Sequence, residues 1–152
     1  MTPEFTDSTE LAKFAATIPE MAVKADIGKV WKREAFNCLA IRELGQIVSY
    51  MVGKQQSKDT YFIWLCGTSL EARGKGYTKF LLKAHEDLAR EEGCSWVTVD
   101  SKNRYPSMLI TLIRSGYKIY KVEVRDSDDL HSIRFHKHLA NKSSASDTCS
   151  VP

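Results

Sequence analysis

Two glycines in Leu70-Glu71-Ala72-Arg73-Gly74-Lys75-Gly76-Tyr77-Thr78 sit where an apolar strand pattern hands over to the strongest helical pattern in the chain. A turn of this kind exposes backbone N–H groups at the positive end of a helix, which holds a pyrophosphate with few side-chain charges. Arg73 and Lys75 add positive charge beside it. Two common phosphate loops do not fit. The pattern G-x-x-x-x-G-K-[ST] fails because Gly76 follows Lys75 and Ser69 occupies the first glycine position. The pattern G-x-G-x-x-G fails because Lys79 stands at the third glycine and an antiparallel meander precedes the turn. A coenzyme A turn remains.

Other reactive side chains are scattered. Cys38, Cys66, Cys94 and Cys149 lie far apart with no C-x-x-C and no nearby His pair, which suits free thiols in a reducing cytoplasm rather than a zinc site or a disulfide framework. Cys66, on an apolar strand, reads as a small core residue before it reads as a nucleophile. His131, His136 and His138 cluster near the C-terminal strand pattern without a carboxylate pattern, so a solvated strand explains them and no metal is expected. His85, in the helix after the glycine turn, reads as a surface residue. Trp31 and Trp64 read as core.

The elements that must position the turn follow from periodicity. Asp7 with Glu10 forms a capping box for a helix to about Thr17, and Pro19 starts a second helix whose Val23, Ile27, Val30 and Trp31 make one apolar stripe despite Gly28. From Phe36 the period becomes two: a hairpin turns at Glu43-Leu44-Gly45 into Gln46 to Lys54, and Thr60 to Thr68 is apolar on both faces, hence central. Residues 76 to 92 form a helix with Tyr77, Phe80, Leu81, Ala84 and Leu88 on one face and Gly93 as its stop. Ser95 to Asp100 then follows as a strand parallel to the one ending at Thr68, since strand–helix–strand crossovers are right-handed. A helix from Pro106 to Gly116, a strand over Tyr120 to Arg125 and a final strand marked by Ile133, Phe135 and Leu139 complete the domain. Residues 1 to 140 read as one domain, and 141 to 152, polar and small, as a disordered tail.

With 152 residues, 43% hydrophobic and 27% charged, the chain has room for one real core, and its net charge of +3 is too small to imply a polyanion partner. The longest apolar run, Tyr61 to Cys66, is far shorter than the ~20 residues a membrane helix needs, and Met1-Thr2-Pro3-Glu4-Phe5 carries no secretory signal pattern.

Arg73-Gly74-Lys75-Gly76-Tyr77-Thr78 resembles the [RQ]-x-x-G-x-[GA] signature of the GNAT (Gcn5-related) N-acetyltransferase family, departing from it at Thr78. The order of elements is similar over residues 5 to 140. Asn103-Arg104-Tyr105-Pro106-Ser107-Met108-Leu109 through Gly116-Tyr117 is similar to a subset of the family in which Asn and Pro lead into a Met-Leu helix ending in Gly-aromatic. The resemblance implies an α/β (α+β) fold: a mixed, mostly antiparallel sheet of six to seven strands, a parallel pair at the cofactor cleft and helices on both faces. It implies acetyl-CoA as co-substrate, a backbone from Cys66 through Gly67 to Thr68 that meets the pantetheine arm and thioester, a pyrophosphate cradle from Arg73 to Thr78, and a contact from Asn103. An amine, on a protein lysine, an N-terminus or a small molecule, would be the acceptor.

The family's usual acid, a tyrosine four residues before the Gly of the Gly-aromatic pair, is Leu112 here. Tyr105 at the mouth of the same helix is the nearest substitute, and Asp59 is a candidate base if its loop folds inward. Two rivals stay open. A non-catalytic acyl-CoA sensor would keep Arg73 to Thr78 and lose the acid and base. A nucleic-acid module would use Lys118, Lys121, Arg125, Arg134 and Lys137, diluted by Glu123, Asp126, Asp128 and Asp129. Self-association as a homodimer through the C-terminal strands is compatible with the resemblance.

Overall fold

A computed structural model describes residues 2–18 and 23–140. The expected helix start at Pro19 and the expected tail from 141 to 152, with Cys149, lie outside the described residues. Seven strands form one sheet in the order β1-β2-β3-β4-β5-β7-β6: β1 Glu4–Phe5, β2 Asn37–Glu43, β3 Gln46–Gln55, β4 Thr60–Thr68, β5 Trp96–Lys102, β6 Lys118–Glu123 and β7 Ser132–His138. All neighbours are antiparallel except β4 and β5. The two-residue strand β1, too short to carry a period, adds an edge that the sequence pattern does not reveal.

The helices are α1 Ser8–Ala16, α2 Ile27–Arg33, α3 Tyr77–Glu91 and α4 Pro106–Arg114. Asp7 caps α1 by accepting from the Glu10 N–H at 3.0 Å, half of the expected capping box. Gly28 sits in α2 because α1 is close there: an added Cβ would stand 2.7 Å from the Ser8 carbonyl oxygen. One core, under α1 and α2, joins Leu11, Ala15, Trp31, Ala40, Tyr50 and Val52, with Trp64 half-buried against Phe36. The other, under α3 and α4, joins Ile41, Met51, Ile63, Leu81, Val99, Leu112 and Phe135. Each fully buried side chain of this size is worth about 1.5–3 kcal/mol.

The buried face of α3 differs from the expected stripe. Tyr77, Leu81, Leu82, His85, Glu86 and Ala89 face inward, while Phe80 is half exposed. Two polar residues on the inner face mislead a hydrophobicity count. His85 is therefore a fully buried residue and not a surface one. Its Nε2 donates to the Met51 carbonyl oxygen at 3.0 Å, so Nδ1 accepts from the Tyr61 hydroxyl at 2.7 Å, which in turn accepts from Asn37 Nδ2 at 3.0 Å. Glu86 accepts from the Tyr117 hydroxyl at 2.8 Å and pairs with Lys137 at 3.2 Å, which ties the Gly-aromatic motif to α3.

The β2–β3 hairpin closes with Leu44 and Gly45 at φ 51° and 79°. Two consecutive positive values are those of a type I′ turn, which asparagine tolerates and leucine does not. Leu44 is fully exposed, so nothing offsets the strain. Leu44→Asn is expected to raise the unfolding free energy by about 1 kcal/mol, read from urea denaturation.

Candidate active site

The parallel contact between β4 and β5 is short. Thr60, Tyr61, Phe62 and Ile63 pair with Trp96, Thr98 and the valines between and after them, and no pairing with β5 continues from Trp64 to Thr68. On its other side β4 stays paired with β3 as far as Thr68↔Ser49. The two strands therefore part, leaving one edge of Trp64–Thr68 with main-chain groups unused by β5. Cys66, Gly67 and Thr68, the stretch expected to meet the pantetheine arm, lie on this parted edge.

The glycine turn stands at its end. A 3-10 turn over Leu70–Ala72 leads to Arg73, whose Nε donates to the Thr68 carbonyl oxygen at 3.1 Å. Gly74 and Gly76 both have φ 81°, the left-handed region that only glycine enters freely, and Gly76 is the N-cap of α3. A Cβ built on either would meet nothing within 4 Å. The turn thus borders open space at the N-terminus of α3. The N–H groups of Gly74, Lys75 and Gly76 have no main-chain partner among the described residues. Left-handed glycines, free N–H groups and space at a helix N-terminus fit a pyrophosphate.

Glu43 is the residue that sequence reasoning did not place here. Lys75 Nζ lies 2.9 Å from Glu43 Oε2, and the Tyr77 hydroxyl donates to the same oxygen. The hydrogen bond from Tyr77, then that from Lys75, hold the Glu43 carboxyl below the usual carboxylate range. One signal was available: in an antiparallel meander the β2–β3 turn and the end of β4 fall on the same side of the sheet.

The far wall of the gap is the β5–α4 junction. Asn103 donates its amide N–H to the Asp128 carbonyl oxygen and its main-chain N–H to the His131 carbonyl oxygen at 3.1 Å, while its Oδ1 is buried without a hydrogen-bond partner among the described residues. Tyr105 is the N-cap of α4, with the Arg104 guanidinium 5.4 Å from its ring centre. Met108, one turn on, brings Sδ within 3.8 Å of Cys66 Sγ. Burial pushes the Cys66 thiol up to about 12, so it is protonated at neutral pH and is no nucleophile. Leu112 is fully buried.

Asp59 is excluded as the base. It precedes the start of β4, seven residues and about 20 Å along an extended strand from Cys66, and its carbonyl oxygen accepts from Ser95 and Trp96. Four of the five basic residues named on the C-terminal strands are paired with carboxylates. Glu123 pairs with Arg134 and Arg125 at 2.8 Å and with Lys121 at 3.5 Å, and Lys137 belongs to Glu86. His136 stacks between Tyr120 and Trp96, with ring centres 4.6 and 4.7 Å apart, rather than standing free in solvent.

A sheet parted at its one parallel pair, with a glycine turn at the fork, defines the acetyltransferase fold that the sequence resembles. The model of the acetyltransferase (GNAT) family matches residues 4–105, and the chain belongs to that family. Solved structures agree in fold. Ribosomal-protein-alanine N-acetyltransferase from Brucella melitensis superposes with a TM-score of 0.72 at 15% identity, covering 91% of this chain and 100% of that one. The yncA protein from Salmonella typhimurium with its cofactor acetyl-CoA gives 0.74 at 15% identity, covering 93% and 95%. An acetyltransferase from Bacillus subtilis in complex with CoA gives 0.73 at 15% identity, covering 91% and 99%. Among curated proteins none matches the sequence.

Proposed function

We propose that this chain is an acetyl-CoA-dependent N-acetyltransferase whose acceptor is a primary amine, on a protein lysine or N-terminus or on a small molecule. The observation that carries this reading is the parting of β4 from β5 beside the open glycine turn. The acetyl-CoA and CoA held by similar folds, and the protein acceptor in the name of the Brucella enzyme, support it. In this reading the turn from Arg73 to Thr78 cradles the pyrophosphate, chiefly with the N–H groups of Gly74, Lys75 and Gly76, the edge at Cys66, Gly67 and Thr68 aligns the pantetheine, and Asn103 Oδ1 accepts from an amide of that arm. The free thiols Cys38, Cys66 and Cys94 fit a reducing compartment such as the cytoplasm.

The donor supplies an activated acetyl group. The amine nitrogen bonds the acetyl carbon, the carbon–sulfur bond breaks with its electron pair on sulfur, and the proton the amine loses passes to solvent water, from which the acid that protonates the sulfur is restored. Alignment in the gap supplies much of the rate. Tyr105, at the mouth of α4, is taken in this reading as the substitute for the tyrosine absent at Leu112, and it donates a proton to the departing sulfur.

Calorimetric titration with acetyl-CoA, CoA and ATP tests the donor. Micromolar binding of both coenzymes and none of ATP is expected; binding of neither coenzyme overturns the reading. A panel of amines with thiol detection then separates an enzyme from an acyl-CoA sensor, since turnover with any amine excludes the sensor.

A further inference from the structure

Tyr50 on β3 is fully buried, yet its hydroxyl has no hydrogen-bond partner among the described residues. A buried hydroxyl left unpaired costs about 1–3 kcal/mol, so a fold that keeps one has a use for it or a penalty without return. The ring is surrounded by apolar groups: Phe14 stands edge-on at 6.0 Å between ring centres and Trp31 lies tilted at 6.3 Å. Phenylalanine would serve that packing as well.

The direction of the ring gives the hydroxyl its meaning. Tyr50 pairs across the sheet with Gly67, and a Cβ added to Gly67 would stand 2.9 Å from Tyr50 Cε1 and 3.6 Å from Cζ. The ring therefore leaves β3 and lies across β4 over Gly67, which carries its hydroxyl to the stretch of β4 that has parted from β5. Gly67 is what makes the crossing possible, because any side chain there would occupy the ring's place. The other group over Gly67 is Ile18 Cδ1, also 2.9 Å from that Cβ position. It is the free end of a side chain with rotamer freedom, so a small acyl group arriving at Gly67 displaces a methyl and no backbone.

We propose that Tyr50 is a catalytic residue, its hydroxyl donating a hydrogen bond to the carbonyl oxygen of the acetyl thioester held at Gly67. The assignment rests on the acetyltransferase reading. It adds a side-chain donor, from the α1–α2 face of the sheet, where negative charge gathers on that oxygen during attack. Burial raises the phenol far above its ordinary range, which keeps it a donor at every working pH.

The test compares the wild type with Tyr50→Phe by three measurements that need no acceptor. Titration is expected to show acetyl-CoA binding weakened about 5- to 10-fold, the worth of one hydrogen bond, with CoA binding unchanged. Isotope-edited infrared spectra of bound [1-13C]acetyl-CoA are expected to show the carbonyl stretch at higher frequency in the variant. The denaturant midpoint is expected to stay or rise, because the hydroxyl removed had no partner in the fold. Equal affinity ratios in the two proteins, an unmoved carbonyl band or a lowered midpoint would each overturn the assignment. Failure of the wild type to bind either coenzyme would instead remove the acetyltransferase reading on which it rests.

Discussion

Gly76→Trp is expected to weaken acetyl-CoA binding at least 100-fold while the protein still folds. The residue has φ 81° and a Cβ there would meet nothing within 4 Å, so an indole grows into the open space at the N-terminus of α3 without striking the protein. That space is where a pyrophosphate would take the first N–H groups of the helix. The fold bears only the cost of a non-glycine residue in the left-handed region, about 1–2 kcal/mol. Gly93→Trp is the matched control. It has φ 83°, nothing within 4 Å of its Cβ position, and lies past the opposite end of α3. Both variants should lose similar stability in denaturation, and only Gly76→Trp should lose the coenzyme in calorimetry. Parallel losses of binding would mean that the glycine turn is no cradle.

Acid should weaken this protein well before its carboxylates titrate. Burial lowers His85 from 6.5 to about 4, its hydrogen bond to Met51 opposing only in part. The imidazole is neutral when folded, with Nε2–H spent on Met51 and Nδ1 accepting from Tyr61, so a second proton has no place. A depressed pKa on a base means that the unfolded chain binds the proton first as pH falls. The stabilisation is complete above pH 6.5, declines as pH falls toward 4, and is gone below it. Over that window the loss is about 3 kcal/mol. Glu34, Glu43 and Glu123, held below the usual carboxylate range, add losses of the same sign only below about pH 4.5, where carboxylates begin to take up protons. Unfolding free energies measured in urea from pH 7 to 4.5 should therefore fall in the wild type. In His85→Leu the baseline is lower and the slope over this range should vanish; an unchanged slope would exclude His85 as its cause.

His85 also marks what the sequence could and could not convey. Local chemistry was legible: the Leu44-Gly45 turn, the cap at Asp7, the helix start at Pro106, the crossover from β4 to β5 and the glycine turn all rest on short-range rules. The face of α3 was not, because His85 and Glu86 are polar by composition and become inward residues only once Tyr61, Met51, Tyr117 and Lys137 are brought to meet them. Glu43 looked like a turn residue, and its approach to Lys75 and Tyr77 depends on two chain reversals. Tyr50 looked like any strand aromatic. Nothing in a linear pattern says that its ring crosses a glycine on the next strand or that its hydroxyl ends without a partner. Side chains whose roles depend on which strand lies beside them stay hidden until the sheet is assembled.

The parting of β4 from β5 also reaches beyond ligand chemistry, into how the molecule opens. Among the described residues, four pairs are the only strand pairing between the sheet's β1–β4 half and its β5–β7–β6 half, with α3 lying across both. Alternate amides of Trp64–Thr68 then behave as edge amides although the strand is central. They should take up deuterium fastest of any in β4, whereas those of Tyr61–Ile63 should report opening of the whole sheet. A coenzyme filling the fork would supply the absent ladder, so one ligand would convert two loosely joined halves into a single cooperative unit, with slowed exchange at Trp64–Thr68 as its trace.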